Sequence, residues 1–244
     1  MSLFSVVIPA RNEERNISRT IKAIQAEFDR HGLEHEIVVV NDGSKDQTET
    51  IVRTMGQKDP CIKLFNNNTL HGFGNAVKRG LEHFKGDYVI IAMADASDDP
   101  KDMIRYVQEV QKGYDCCFGS RWGNGAVVKN YPQHKLVLNR IANWWISLLF
   151  GLRYTDVTNA FKCYSRKTIQ GIKPILSHHF NITVELPLKA IVRGYSYTVV
   201  PTNWYHRKTG KSALKIEEMG SRYLFIILYV LLEKFLCRSD YKKK

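Results

Sequence analysis

Three acidic side chains, Asp95, Asp98 and Asp99, stand close together in MADASDDPKD, directly after an apolar run. Hard carboxylate oxygens at this density suit Mg²⁺ or Mn²⁺, which bind a few carboxylates and complete their shell with substrate phosphates. Capping of a helix ahead of Pro100 is a second use. The two are compatible, with Asp95 on the metal and the later pair at the helix. A second acidic turn, VVVNDGSKDQT, carries Asn41 and Asp42 at the end of an almost wholly apolar stretch. Gly43 allows a tight turn there. Asp42 suits either the polar edge of a nucleobase or ribose or a turn that caps a helix with no ligand. LHGFGNAVKRG lacks the GxxxxGK[ST] order of a P-loop. Its glycines still permit a polar ligand to approach backbone N–H groups at a helix start.

Basic residues follow. GSRWGNG presents Arg121, and Lys129, Lys135 and Arg140 come soon after it. Beside an acidic metal site, such groups would stabilise charge on a departing diphosphate. A solvated face is the plainer use of the same side chains. Glu185 lies in the mostly apolar FNITVELPLKA and is expected to point into a pocket rather than lie at a helix edge. HRKTGKSALK sets Arg207, Lys208 and Lys211 beside a glycine and a serine, which fits a phosphate-gripping loop or a membrane-surface patch.

The elements that must position these groups alternate. Strands are expected at residues 5–9, 36–40, 61–65, 87–93 and 115–118. Helices are expected at 12–30, 46–55, 75–84 and 103–110, with Ile17, Ile21, Ile24 and Phe28 marking one face of the first. This order implies an α/β chain with a mostly parallel sheet and helices on both faces. Ligands in such folds sit beyond the carboxyl ends of the strands, which makes residues 11–14, 41–44, 71–75, 95–99 and 120–122 the first candidates. Asp42 and Asp95 are expected to leave neighbouring strands. The second half reads as a long apolar helix at 136–150 with Trp144 and Trp145, a strand or extended loop at 155–164, a helix at 182–192 and a strand at 196–200. A terminal apolar helix at 223–236 is interrupted by Glu233 and Lys234.

With 36 Lys and Arg against 24 Asp and Glu, the formal charge is +12. That balance draws polyanions. No helix-turn-helix, zinc finger or RNP-type aromatic strand accompanies it, so nucleic acid is set aside in favour of phosphorylated small molecules and anionic membrane. Five cysteines without a CxxC pair fit reduced thiols in the cytoplasm. The run YLFIILYVLLEKFL falls short of the roughly 20 residues that cross a bilayer.

Eight ordered segments resemble family 2 glycosyltransferases, most closely the dolichyl- or polyprenyl-phosphate sugar transferase branch. They are SVVIPARNEERNI, VVVNDGSKDQT, HGFGNAVKRG, MADASDDP, FGSRWGNG, DVTNAFKCY, VELPLKA and VPTNWYHRKTGKS. The resemblance implies a GT-A fold, a nucleotide diphosphate sugar donor, Mg²⁺ or Mn²⁺, and inverting single displacement. It puts Pro9, Asn12, Glu13, Asp42, Gly74, Asn75 and Asp95 on the donor side, with Arg207 and Lys211 in a basic loop over the pyrophosphate. Asp95 matches the second aspartate of the family's DxD motif. Met93 stands where the first is usual, which leaves Asp98 or the donor diphosphate to complete the metal shell. Arg121 matches the arginine after the fifth core strand, and Lys135 falls where lipid-phosphate transferases usually carry an arginine. Asp156 and Lys162 match an acceptor-side segment, Glu185 matches the glutamate of a QMEM-like segment, and Ala213 departs from the usual pair after the basic loop.

A polyprenyl-phosphate acceptor is already anionic and needs no strong base. A saccharide hydroxyl needs one, and Asp156 and Glu185 are then the candidates. A nucleotidyltransferase is the enzymatic rival, but IPARNEERN lacks a glycine-rich first loop; a non-catalytic nucleotide-sugar-binding module on the membrane is the other. The expected organisation is a catalytic domain at residues 1–211 with an interfacial helix at 136–150, followed by a membrane-associating or self-associating segment at 212–244. The expected location is the cytoplasmic face of the plasma membrane, with peripheral attachment to anionic lipid.

Overall fold

The computed structural model describes residues 2–68, 70–205, 216–237 and 241. Apolar runs FSVVIPA and HEIVVVN form β1 (Phe4–Ala10) and β2 (His35–Asn41), buried along nearly their whole length, as parallel strands covered on both sides require. Between them α1 (Ile17–Arg30) lays Ile17, Ile21, Ile24 and Phe28 on the sheet. The helix starts at Ile17 rather than residue 12. Asn12 adopts the left-handed region at φ 56°, and the Glu13 carbonyl takes the N–H groups of Asn16 and Ile17 at 2.9 Å. The alternation continues through α2 (Thr48–Lys58), β3 (Ile62–Asn66), α3 (Phe73–His83), β4 (Tyr88–Ile91), α4 (Pro100–Gln111) and β5 (Cys116–Ser120). Asp99 caps α4 by accepting the Lys101 N–H, with Pro100 in the first turn, so its helix-capping reading holds.

The second half adds β6 (Val128–Lys129), α5 (Gln133–Phe150), β7 (Lys162–Ser165), α6 (Arg166–Gly171), α7 (Ile182–Val192), β8 (Tyr197–Pro201), β9 (Trp204–Tyr205) and α8 (Ile216–Leu236). The seven-stranded sheet runs β3-β2-β1-β4-β7-β5-β8. Only β7 is antiparallel, inserted between β4 and β5. The extended segment expected at 155–164 is therefore a loop ending in this strand. β1 lies between β2 and β4, so the strands that deliver Asp42 and Asp95 flank it and are not neighbours. β6 and β9 pair as a separate small ribbon.

Side chains alternate across the sheet into two cores. Val6, Ile8, Ile37 and Val39 meet α1, α2 and α4 on one face. Val7, Val38 and Val40 meet α3, α7 and α8 on the other, where Ile226 and Val230 of α8 are fully buried. Glu233, which interrupts the apolar run in sequence, turns inward and pairs with Arg193 at 2.6 and 2.8 Å. The expected boundary at 211/212 lies outside the described residues.

α5 is polar inside and apolar outside. Asn139 donates to Thr158 Oγ1 at 2.8 Å, Asn143 Oδ1 accepts the Thr158 N–H at 3.1 Å, and Ser147 donates to the Tyr154 carbonyl at 2.7 Å. Its outer face carries Leu138, Ile141, Trp144, Trp145 and Leu148, with the two tryptophans 58% and 53% exposed. Leu224, Phe225, Leu228, Leu232 and Phe235 do the same on α8. Lys234 of α8 donates to the Phe150 carbonyl at the end of α5, so the two helices adjoin. No helix among the described residues is long and apolar enough to cross a membrane.

Candidate active site

The loops after β1 and β2 interlock. Asn12 donates its N–H to Ser44 Oγ at 3.0 Å and accepts the Lys45 N–H at 2.8 Å, while the Glu13 N–H reaches Thr48 Oγ1 at 2.8 Å. Pro9 is buried in β1 beneath them. Asp42 follows β2, is buried, and accepts from Asn67 Nδ2 at 2.7 Å and from the Gly72 N–H at 2.9 Å. His71 Nδ1 stands 3.3 Å from the same carboxylate. Gly43 makes this possible, since it sits at φ +68° and a Cβ there would meet the His71 ring at 2.5 Å. Asp42 therefore organises the loop before α3 as well as ending β2.

The glycine-rich start of α3 is occupied by the protein itself. A Cβ on Gly74 would meet backbone of Ser177, His178 and His179 at 2.7 Å. The Asn75 N–H donates to the His178 carbonyl at 3.2 Å, and Asn75 Oδ1 lies 2.8 Å from His178 Nδ1. The close approach expected for a ligand is thus made by the 177–179 loop.

After β4, Asp95 is half-buried and accepts the Ser97 N–H at 3.2 Å. Asp98 is buried and accepts the Met93 N–H at 2.9 Å. Burial pushes the Asp98 carboxyl up to about 7; the Met93 N–H opposes this, and the charge of Asp95 adds to it. No cluster of three metal-ligating side chains exists among the described residues. Two carboxylates in mutual repulsion, with few further ligands, fit a divalent cation that takes the rest of its shell from phosphate oxygens.

Arg121 and Asp156 form a buried two-pronged pair. Asp156 Oδ2 accepts the Arg121 backbone N–H at 2.8 Å and Nε at 2.9 Å, and Oδ1 accepts Nη2 at 2.7 Å. Burial opposes the guanidinium charge, yet the Asp156 carboxylate outweighs it and raises Arg121 above its ordinary value. Asp156, an expected base, is thereby engaged on every side the structure shows. Glu185, expected to face a pocket, is fully buried instead. It accepts the N–H groups of Leu176 and Ser177 at 2.8 and 2.7 Å and pairs with Lys189 at 2.7 Å. A carboxylate at a fully buried position is stable only with such partners, and they fix it as the anchor of the 174–177 loop. Lys162 is likewise internal, donating to the carbonyls of Val157, Asn159 and Thr183.

Around Arg121 stands an aromatic cluster that motif reading missed. Trp122 and Tyr131 lie 5.9 Å apart, Tyr131 and Trp204 4.9 Å apart. The guanidinium groups of Arg121 and Arg140 lie 5.5 and 5.2 Å from the Trp122 ring. Trp122 Nε1 is buried with no hydrogen-bond partner among the described residues. The only sequence signal was an aromatic residue next to Arg121. Lys135 occupies the first turn of α5 on the same side, half-buried. Arg207 and Lys211 lie outside the described residues.

A mostly parallel sheet with an interlocked nucleotide-side rim and an acidic turn after β4 defines a GT-A glycosyltransferase. Residues 5–170 match the model for glycosyl transferase family 2, and the chain belongs to that family. It is 29% identical over 216 residues to the polyprenol monophosphomannose synthase of Mycolicibacterium smegmatis, spanning 86% of this chain and 80% of that one. It is 27% identical to the glycosyltransferase AglD of Haloferax volcanii, over 90% of this chain and 36% of that longer protein. In fold it is similar to glucosyl-3-phosphoglycerate synthase from Mycobacterium tuberculosis in complex with UDP, with a TM-score of 0.70, 18% identity, and 96% and 80% of the two chains covered. The complex of that enzyme with Mn²⁺, UDP and phosphoglyceric acid gives 0.69 at 19% identity, over 96% and 78%.

Proposed function

We propose that this glycosyltransferase moves a sugar, with inversion, from a nucleotide diphosphate sugar to a polyprenyl phosphate at the cytoplasmic face of the membrane. One observation carries the choice of acceptor: both carboxylates that could deprotonate a hydroxyl, Asp156 and Glu185, are buried and engaged. A phosphate monoester brings its own anionic oxygen and needs no base. The mouth beside Asp156 suits such a group. Arg121 and Arg140 bring positive charge, and the buried Trp122 Nε1 has a proton to donate. Lys135 keeps a cation at the start of α5, though without the bidentate fork of arginine.

On the donor side Asp42 meets the nucleobase, while Pro9, Asn12, Glu13, Gly74 and Asn75 form its rim, and Arg207 and Lys211 close over the pyrophosphate. Asp95, with Asp98 behind it, would hold Mg²⁺ or Mn²⁺. Such a cation supplies electrostatic stabilisation for the departing diphosphate. The titles of the mycobacterial relatives support both parts, one acting on polyprenol phosphate and one holding Mn²⁺ with UDP. The outward apolar faces of α5 and α8 support peripheral attachment, with Trp144 and Trp145 at headgroup level.

A direct test compares polyprenyl phosphate with the free polyprenol as acceptors. Turnover with the phosphate alone is expected. Equal turnover with the alcohol would require a base that this site lacks, and would overturn the choice.

A further inference from the structure

Between the loop at residues 176–181 and the described start of α8 lies a cavity of about 530 Å³. Its walls include His178, Asn181, Ser221, Arg222, Phe225 and Ile226. Asp42, Asp95, Arg121 and Lys135 do not line it, so it stands apart from the candidate active site.

Three properties of the cavity point to one ligand chemistry. The first is positive charge. Lys78 Nζ lies 3.2 Å from His178 Nδ1 across the wall. Burial, and then the charges of Lys78 and Arg222, hold the His178 imidazole below its ordinary range against the opposing pull of Glu185. Among the described residues no carboxylate pairs with Arg222 or Lys78. The second is an acceptor without a donor. Asn181 is 5% exposed, and its Oδ1 has no partner among the described residues, while Nδ2 is directed to the Arg222 carbonyl at 3.5 Å. A bare anion would leave that oxygen unsatisfied; a hydroxyl would not. The third is continuity with an apolar surface. Phe225 is both a wall of the cavity and, with Leu224 and Leu228, part of the exposed face of α8.

We propose that this cavity binds the headgroup of an anionic phospholipid that carries a free hydroxyl, with its phosphate at Arg222, its hydroxyl on Asn181 Oδ1 and its acyl chains along the apolar face of α8. Phosphatidylglycerol has this chemistry. The site rests on the membrane attachment proposed above, and makes it selective for lipid as well as apolar. Occupation would press α8 against the 176–181 loop, which Glu185 anchors from below.

The test is flotation of the full chain with vesicles of phosphatidylcholine alone, or mixed with equal fractions of phosphatidylglycerol or phosphatidylmethanol. The two anionic lipids share one charge and differ by the hydroxyl. Tighter binding to phosphatidylglycerol by about five-fold is expected from one added hydrogen bond. Asn181→Leu should erase that preference and keep phosphatidylmethanol binding. Arg222→Gln should weaken both anionic vesicles by about five-fold. Unchanged binding of both variants to phosphatidylcholine shows that they remain folded. Equal wild-type binding to the two anionic lipids, or a preference that survives Asn181→Leu, overturns the site. Displacement from phosphatidylglycerol vesicles by millimolar soluble glycerol phosphate overturns the lipid source in favour of a free phosphate ester. Failure to float with any vesicle overturns the attachment itself, and this site with it.

Discussion

Replacing Asp156 with asparagine separates a structural role from a catalytic one. Asp156 is fully buried and takes three N–H groups of Arg121 at 2.7–2.9 Å, while the Arg121 side chain is itself only 9% exposed. The substitution leaves a guanidinium charge in the interior without its counter-charge. Breaking a buried pair from one side costs about 3–5 kcal/mol. In a chain of this size each kcal/mol moves Tm by about 2–4 °C, so a fall of about 6–20 °C is expected by calorimetry or circular dichroism. Replacing both partners, as Arg121→Met with Asp156→Leu, should recover much of that loss, because no lone charge remains. Transfer to polyprenyl phosphate, measured below the new Tm, should keep the shape of its pH profile. The reasoning fails if Asp156→Asn leaves Tm untouched while kcat drops by about 10²–10⁴ and the acid limb of the profile disappears, for that is the behaviour of a general base.

Gly74→Ala should lower unfolding stability by about 1–3 kcal/mol in urea, since the new Cβ meets backbone at 2.7 Å; intact stability with lost nucleotide binding would return that glycine to ligand contact. Glu36 is held below its ordinary 4.5, because hydrogen bonds from Lys63, Ser5 and the Lys85 N–H outweigh the burial that opposes them. Its folded pKa is depressed, so the stability it adds is present above pH 4.5 and lost as pH falls through the folded value. The gap between wild type and Glu36→Gln should therefore be full at pH 7 and close in acid, and a gap that stays constant contradicts this. Mn²⁺ should bind the nucleotide-free protein weakly and the nucleotide complex far more tightly, by paramagnetic relaxation, with Asp95→Ala removing the gain. Trp144→Ser with Trp145→Ser should cost about ten-fold or more in vesicle affinity and leave Tm in place.

The first half of the fold was legible because each strand is an unbroken apolar run and each helix keeps its apolar spacing, as in HEIVVVN and in Ile17, Ile21, Ile24 and Phe28. β7 was harder: KCYS is short, and its place between β4 and β5 depends on pairing with residues more than forty positions away. Asp99 was readable because capping is local. Glu185 was not. An acidic residue in an apolar helix looks the same whether it faces a pocket or backbone N–H groups, and only the return of the 174–177 loop decides. Gly74 misled for a related reason, since a glycine reports close approach without saying to what. α5 read correctly as apolar, but its inner ladder of Asn139, Asn143 and Ser147 appears only once the 154–158 loop is in place.

The central claim is transfer to a lipid phosphate without a protein base. The most direct measurement incubates the full chain with a panel of nucleotide sugars, Mn²⁺, and vesicles holding polyprenyl phosphate or free saccharides, and follows products by mass spectrometry and NMR. The account expects a polyprenyl-phosphate sugar of inverted anomeric configuration, free nucleoside diphosphate, and no saccharide product. Saccharide elongation with the lipid phosphate untouched, or release of pyrophosphate, would contradict it.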